Sequence, residues 1–250
     1  MIEQIKEHRS IRRFKGEKIA PSTLTTIMEA AIRASNCGNM QSYSIIVSQD
    51  DEQLAKLSPC HFGQVERMNA QCVVTICADV ARFSAWCRER NAEPKYDNFI
   101  WFLNGCIDSI MSAQNITLEA QAQGVGICVL GTTLYTADKI IEILELPEGV
   151  IPITSIAMGY PDEQPALTDR LPYEAVIHYE KYTLNTPDQI NKVWAETEAS
   201  ALTKKLIEEN GTENLAQVFT QYRYKGEDNV NFSKKYMELL KKQGFLNHEY

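Results

Sequence analysis

His8, Arg9, Ser10 and Arg12 stand within five residues of one another, and together they offer two guanidinium forks, an imidazole and a hydroxyl. Such a set suits a phosphate or another planar oxyanion, because Arg grips two oxygens at once and Ser adds a short neutral donor. The local charge agrees. Lys6, Arg9, Arg12, Arg13, Lys15 and Lys18 outnumber Glu3, Glu7 and Glu17 there, although the whole chain carries a formal charge of -8. A basic, solvated helix end would show the same charges, so the run needs support from other parts of the chain.

Other chemistries find less in the sequence. Cys60-His61 has no second Cys or His at ligand spacing, so no metal site is expected. The four histidines, His8, His61, His178 and His248, carry no local signature that pairs one with a thiol nucleophile. Gly124 and Gly126 lie after a helix and before a strand, the reverse of a dinucleotide fingerprint, and the third glycine is absent.

Composition sets the class. With 250 residues, 44% hydrophobic and 23% charged, the chain is an ordinary globular protein with enough apolar residues for a full core. No apolar run approaches the roughly 18 residues of a membrane span, and Met1-Ile2-Glu3-Gln4-Ile5-Lys6 lacks the charged-then-apolar order of a secretory leader. Cytoplasmic location and no membrane partner are the expectation. Seven cysteines, an odd number, sit mostly in apolar segments such as those around Cys72, Cys77, Cys106 and Cys128, which reads as free thiols in a reducing compartment. The acidic balance opposes a nucleic-acid surface.

Helices dominate the elements that would position these groups. Pro21 opens a helix whose Leu24, Ile27, Met28, Ala31 and Ile32 form one stripe, with Gly38 just beyond its end. Strands are expected over residues 43–48, 72–77, 127–130 and 153–158 from their β-branched runs. Residues 98–123 lack Pro and carry apolar residues nearly all round, which predicts a long buried helix of the kind found at subunit interfaces. After residue 160 the prolines at 161, 165 and 172 space out a connector. Thr186-Pro187-Asp188-Gln189 then supplies an N-cap, a first-turn Pro and a capping-box Gln. That helical stretch should stop at Asn210-Gly211, and a last helix should cover 232–242. The division expected is a core of residues 1–165 and a connector with helical extension of residues 166–250, packed on the core or on a partner subunit.

Four segments in order carry a resemblance: His8-Arg9-Ser10-Ile11-Arg12, the stretch Ser35-Asn36-Cys37-Gly38-Asn39-Met40-Gln41-Ser42-Tyr43-Ser44, Gly124-Val125-Gly126-Ile127-Cys128-Val129-Leu130-Gly131, and Arg170-Leu171-Pro172. Together, spaced around a long apolar helix, they resemble the nitroreductase and flavin reductase family, most of all its larger, NADPH-preferring, oxygen-insensitive branch. The similarity covers roughly residues 1–180. It implies an α+β nitroreductase-like fold: a mainly antiparallel sheet flanked by helices, a long buried core helix and a helical C-terminal extension.

The resemblance also implies FMN as bound cofactor, with NADPH or NADH as electron donor. His8, Ser10 and Arg170 would hold the phosphate, and Arg9 would belong to the same cofactor site. Arg12 would lie by the N1 and O2 edge of the ring and tune its electronics, with no catalytic side chain needed beyond groups of this kind. Ser35, Asn36, Asn39 and Gln41 would meet the ribityl chain and ring, Gln64 the ring's polar edge, and the backbone of Leu130, Gly131 and Thr132 the N5 position. Relatives often carry Lys two residues before the phosphate-binding Arg; Thr168 stands there in this chain. Arg223 and Lys225 are the candidates for the NADPH 2′-phosphate. The function implied is a homodimeric NAD(P)H oxidoreductase, alternating hydride transfer through flavin N5 between donor and a small-molecule nitroaromatic, quinone or flavin acceptor. A flavin-binding protein for sequestration or sensing on the same fold is the alternative.

Overall fold

The apolar runs expected as strands pair into one sheet. In a computed structural model that describes residues 1–248, β1 (Tyr43–Ser48), β2 (Cys72–Asp79), β3 (Gly126–Leu130) and β4 (Val150–Gly159) lie in the order β1-β2-β4-β3, all antiparallel. Every residue of β2 is buried. A central strand covered on both faces has no solvent side to place polar residues on, hence its continuous apolar run. Cys72, Val74 and Ile76 face one side with Ile156 and Met158, where they meet Ile27, Ile116 and Ala120. Val73 and Ala157 face the other, against Leu54, Leu57 and Val65.

Those partners come from helices on both faces. In chain order the helices are α1 (Glu3–Lys6), α2 (Pro21–Ala31), α3 (Asp51–Leu57), α4 (Gln64–Arg67), α5 (Ala81–Arg88), α6 (Phe99–Ala122), α7 (Ala137–Ile143), α8 (Tyr173–Val176), α9 (Pro187–Ala199), α10 (Ala201–Asn210), α11 (Leu215–Val218) and α12 (Gly226–Lys242). Asn98 starts α6 by accepting the Trp101 N–H on its side chain at 3.1 Å. Gly105 lets α6 lie close on the sheet: a Cβ there would stand 2.8 Å from that of Ala78 and 3.0 Å from the Ser42 carbonyl oxygen.

The buried face of α6 is narrower than its composition implies. Gly105, Asp108, Ser109, Ser112, Ala113, Ile116, Thr117 and Ala120 are buried, and most are small or polar. Ile100, Leu103, Ile107, Ile110 and Met111 remain exposed on the chain, at 38–59%. Their spacing of three and four residues makes one stripe along the helix.

The chain divides into two compact units: residues 1–166 together with the chain from Lys235 onward, and Leu167–Lys234. In the first, Leu240 and Phe245 join Phe102 and Ile151 in a third core cluster. In the second, Thr186 and Gln189 form the capping box of α9. The stretch to Asn210 is two helices and not one, because Ser200 leaves helical geometry (φ -63°, ψ 150°) and caps α10 with its side chain. Gly211 then ends α10 in the left-handed region (φ 62°). The last helix begins at Gly226, earlier than the apolar pattern alone indicates, with Glu227 and Asp228 in its first turn.

Among the described residues no helix is long and apolar enough to cross a membrane.

Candidate functional site

The basic run is extended backbone and not a turn of helix. α1 ends at Lys6, and the segment that follows is pinned along the sheet by backbone bonds: Ile11 N–H to Ile127 O at 2.8 Å, Phe14 N–H to Met68 O at 2.9 Å and Lys15 N–H to Tyr160 O at 2.8 Å. Ile11 and Phe14 are buried, which leaves Arg12 and Arg13 exposed beside them. His8 Nδ1 lies 2.8 Å from Gln121 Oε1 at the end of α6. Arg9 donates to the Glu7 carboxylate at 2.9 Å, and its Nε is buried with no hydrogen-bond partner. Ser10 is half-buried between them. The Arg12 backbone N–H donates to the Glu163 carboxylate. Burial pushes the Cys128 thiol of β3 up, and the Arg12 guanidinium beside it works the other way.

β3 delivers the second group. Leu130 is buried, and Gly131 opens the short helical turn Gly131–Tyr135. A Cβ at Gly131 would meet nothing within 4 Å, and its backbone is not left-handed. Neither packing within the chain nor backbone geometry asks for glycine there. Thr132 Oγ1 lies 2.9 Å from Nδ1 of His61, and Thr136 Oγ1 donates to Cys60 O at 2.7 Å. Residues 60–61 therefore hold the turn from below. Gln64, half-buried, begins α4 just after Gly63 (φ 73°) on the same segment.

His61 is fully buried and its Nε2 has no partner. Desolvation lowers its pKa from 6.5 to about 4, so the folded chain takes up this proton far less readily than the unfolded chain. The unfolded state binds more protons between those two values, so stability is full above pH 6.5 and is lost as pH falls toward 4. The shift corresponds to a loss on the order of 3 kcal/mol. Urea unfolding of wild type and His61→Gln at pH 7 and pH 4.5 should show a clearly smaller acid-induced loss in the variant; equal losses would remove His61 from this role.

The stretch 35–42 forms the third group. Ser35 is exposed after α2, and Asn36 Oδ1 accepts the Gln41 N–H at 3.2 Å. Gly38, Asn39 and Gln41 all take left-handed backbone (φ 56°, 56° and 52°), two of them without glycine's freedom. Both ends of the stretch are tied to Asp108 of α6, which accepts the Cys37 N–H on Oδ1 at 2.9 Å and the Ser42 N–H on Oδ2 at 3.0 Å. Arg82 adds a bond to the Tyr43 carbonyl at 3.0 Å.

One chain does not bring all of these together. The runs 8–12 and 130–132 share the β3 edge, whereas the 35–42 stretch leads into β1 at the opposite edge. Three strand spacings, roughly 14 Å, separate the edges. Along α6, the loop's tie at Asp108 and the His8 tie at Gln121 are 13 residues apart (121 minus 108), roughly 20 Å of helix. Arg170, Arg223 and Lys225 belong to the second unit. Arg170 is exposed and donates to the Thr168 side chain at 2.6 Å, so Thr168 orients the guanidinium. Arg223 lies over the Phe219 ring at 5.7 Å, and Lys225 is exposed.

Sequence reasoning missed Asp108, Arg82 and the pairing of His61 with Thr132. Asp108 carried a signal, since it is one of only two charged residues in the long helix, with Glu119. The others carried none, because their partners lie 71 and 39 residues away. Burial pushes the thiols of Cys72 and Cys106 up to about 12, which leaves them protonated and poor nucleophiles.

A sheet of four antiparallel strands flanked by helices, with a long central helix, defines an α+β protein, and the basic run lies along one edge of that sheet. The chain belongs to the nitroreductase family, whose model matches residues 5–160. It is 32% identical over 189 residues to the FMN reductase (NADPH) of Bacillus subtilis, covering 75% of this chain and 76% of that one. To a second B. subtilis protein, FMN reductase [NAD(P)H], it is 29% identical over 98% of this chain and 97% of the relative. A solved structure from Bacteroides fragilis, provisionally described as an oxidoreductase, superposes with a TM-score of 0.95 at 43% identity, covering 98% of this chain and all of that one. The family and these relatives make the chain an oxidoreductase.

Proposed function

We propose that the protein is an FMN-dependent NAD(P)H oxidoreductase that works as a homodimer, with each flavin site completed by the partner chain. Bound FMN would supply the redox chemistry, taking a hydride from the nicotinamide and passing electrons to a nitroaromatic, quinone or flavin acceptor. The observation that carries this reading is Gly131: open space over a glycine that nothing in the chain requires, on the strand edge where Arg12 lies beside Cys128. A cofactor lying against the backbone accounts for both. The orphaned Arg9 Nε and the imidazole of His8 on the same edge suit a phosphate.

The chain's own groups then have distinct tasks. His8, Arg9, Ser10 and Arg170 neutralise and orient the phosphate. Arg12 holds a fixed cation by the ring edge that gains negative charge on reduction, and Gln64 meets a polar edge. Gly131 and Thr132 leave room for the ring and present backbone amides to it. Ser35, Asn36, Asn39 and Gln41 close the site of the partner chain, which is the role their position on the far sheet edge supports. The exposed stripe of α6 supplies the dimer contact, since a row of five large apolar side chains in water is a surface that association removes. Residues 1–165 carry the flavin core. The segment 166–250 contributes Arg170 and, through Arg223 and Lys225, a contact for the nucleotide 2′-phosphate. A cytoplasmic location fits seven free thiols.

Arg170→Ala and Arg12→Ala test the assignment. Loss of one charge-assisted phosphate contact, about 1.5 to 3 kcal/mol, should weaken FMN binding in Arg170→Ala by roughly tenfold or more. Arg12→Ala should lower the reduction potential of the bound flavin. Unchanged affinity in the first and unchanged potential in the second would reject both placements.

A further inference from the structure

We infer that Asp108 is the positioning residue of the flavin-facing loop, a buried carboxylate that spans residues 37–42 and holds their left-handed backbone in the form the cofactor site needs. This rests on the reading that residues 35–42 line a flavin site.

Asp108 is 1% exposed and sits in the middle of α6. An aspartate so deep in a core helix is costly unless its oxygens are occupied. Here each oxygen takes a backbone N–H of the loop, Cys37 on one and Ser42 on the other, at 2.9 and 3.0 Å. The two donors bracket Gly38, Asn39 and Gln41, the three residues with positive φ. Asn39 and Gln41 each pay a conformational cost in that region, and such backbone persists only where the surroundings over-determine it. Apart from the Asp108 bridge, the loop's own bonds are few: Met40 N–H to Cys37 O, Tyr43 N–H to Gln41 O, and the Asn36 and Gln41 side-chain bonds. None of these reaches a second element. The carboxylate reaches from α6 to both ends, whereas Arg82, donating to the Gln41 and Tyr43 carbonyls, and the Asp79 N–H, donating to Ser42 O at 3.0 Å, hold only the side that leads into β1.

The chemistry needs a carboxylate. A carboxylate accepts on both oxygens, whereas an amide in its place would turn an N–H₂ donor toward one of the two N–H groups. Asp108→Asn is therefore nearly isosteric and breaks the clamp at one end. Cys37→Pro breaks it from the surface. Cys37 is exposed and opens the short helical segment Cys37–Asn39, and Asn36 before it is extended (φ -149°, ψ 163°). Proline is accepted at such a position and removes one donor to Asp108 without touching the core.

The experiment uses the full-length purified protein and both variants, with FMN affinity, the visible circular dichroism of the bound flavin and amide exchange of residues 37–42 as readouts. The expected result is FMN binding weakened about tenfold in Asp108→Asn and severalfold in Cys37→Pro. The flavin dichroism should change in both, and loop amides should exchange faster while β2 amides keep their protection. If Asp108→Asn does not fold, Cys37→Pro decides alone. Wild-type affinity and dichroism in Cys37→Pro, or in a folded Asp108→Asn, would overturn the inference even if the melting temperature falls, because a merely structural aspartate predicts that combination. A wild-type protein that binds no FMN would instead overturn the cofactor reading on which the inference rests.

Discussion

Gly131→Val should leave the apoprotein folded and weaken its hold on the cofactor. A Cβ at this position meets nothing within 4 Å and the backbone lies outside the left-handed region, so the first added carbon carries neither a clash nor strain within the chain, and the melt of the apoprotein checks the two further methyls. A ligand lying on the turn meets the added carbons directly. Overpacking of that kind costs about 1 to 3 kcal/mol, which is between roughly fivefold and a hundredfold in FMN affinity. Gly105 gives the opposite pattern and serves as the control. Its Cβ would stand 2.8 Å from Ala78 and 3.0 Å from a backbone oxygen, so Gly105→Val should lower the melting temperature outright. Isothermal titration with FMN and thermal melts of both apoproteins separate the cases. Wild-type FMN affinity in Gly131→Val would mean that the open space over β3 is not the flavin site.

The second large effect is expected at the α6 stripe. Ile107→Glu combined with Ile110→Glu places two carboxylates on each side of the proposed interface, where no cation of α6 stands to meet them. Burying an unpaired charge costs about 3 to 5 kcal/mol, which weakens association by more than roughly a hundredfold. Sedimentation should then find monomer at micromolar concentration and a dimer for wild type under the same conditions. FMN retention should fall with the dimer, although neither residue belongs to the flavin site, because residues 35–42 would no longer reach the partner's β3 edge. A monomer that keeps its FMN would show that one chain holds the complete site.

The sheet and the long helix were legible because their signals are local. β-branched runs located all four strands, and the capping signature at Thr186 located the start of α9. The short helices α3, α4, α5 and α7 escaped, since four to eight residues give too few turns for a periodic stripe. Burial on α6 was legible in total and not in its division, for a physical reason: apolarity reports what avoids water, and not whether the same chain or another covers it. Thus Ile107 and Ile110, read only as part of an apolar helix suited to a subunit interface, lie exposed on the chain, while Asp108 and Ser112 beside them are buried. The site was legible as residue types through its resemblance and not as geometry. Nothing in the spacing of Ser10, Asn39 and Gly131 reveals that strand order separates the first and last from the second.

The central claim is tested most directly by the purified protein itself, titrated anaerobically with NADPH while its visible absorption is followed. The account predicts a yellow dimer that releases one FMN per chain on denaturation. Its flavin band should bleach with about one equivalent of NADPH and return on addition of a quinone. A colourless protein that takes up no added FMN, or a bound flavin that NADPH leaves oxidised, would contradict it.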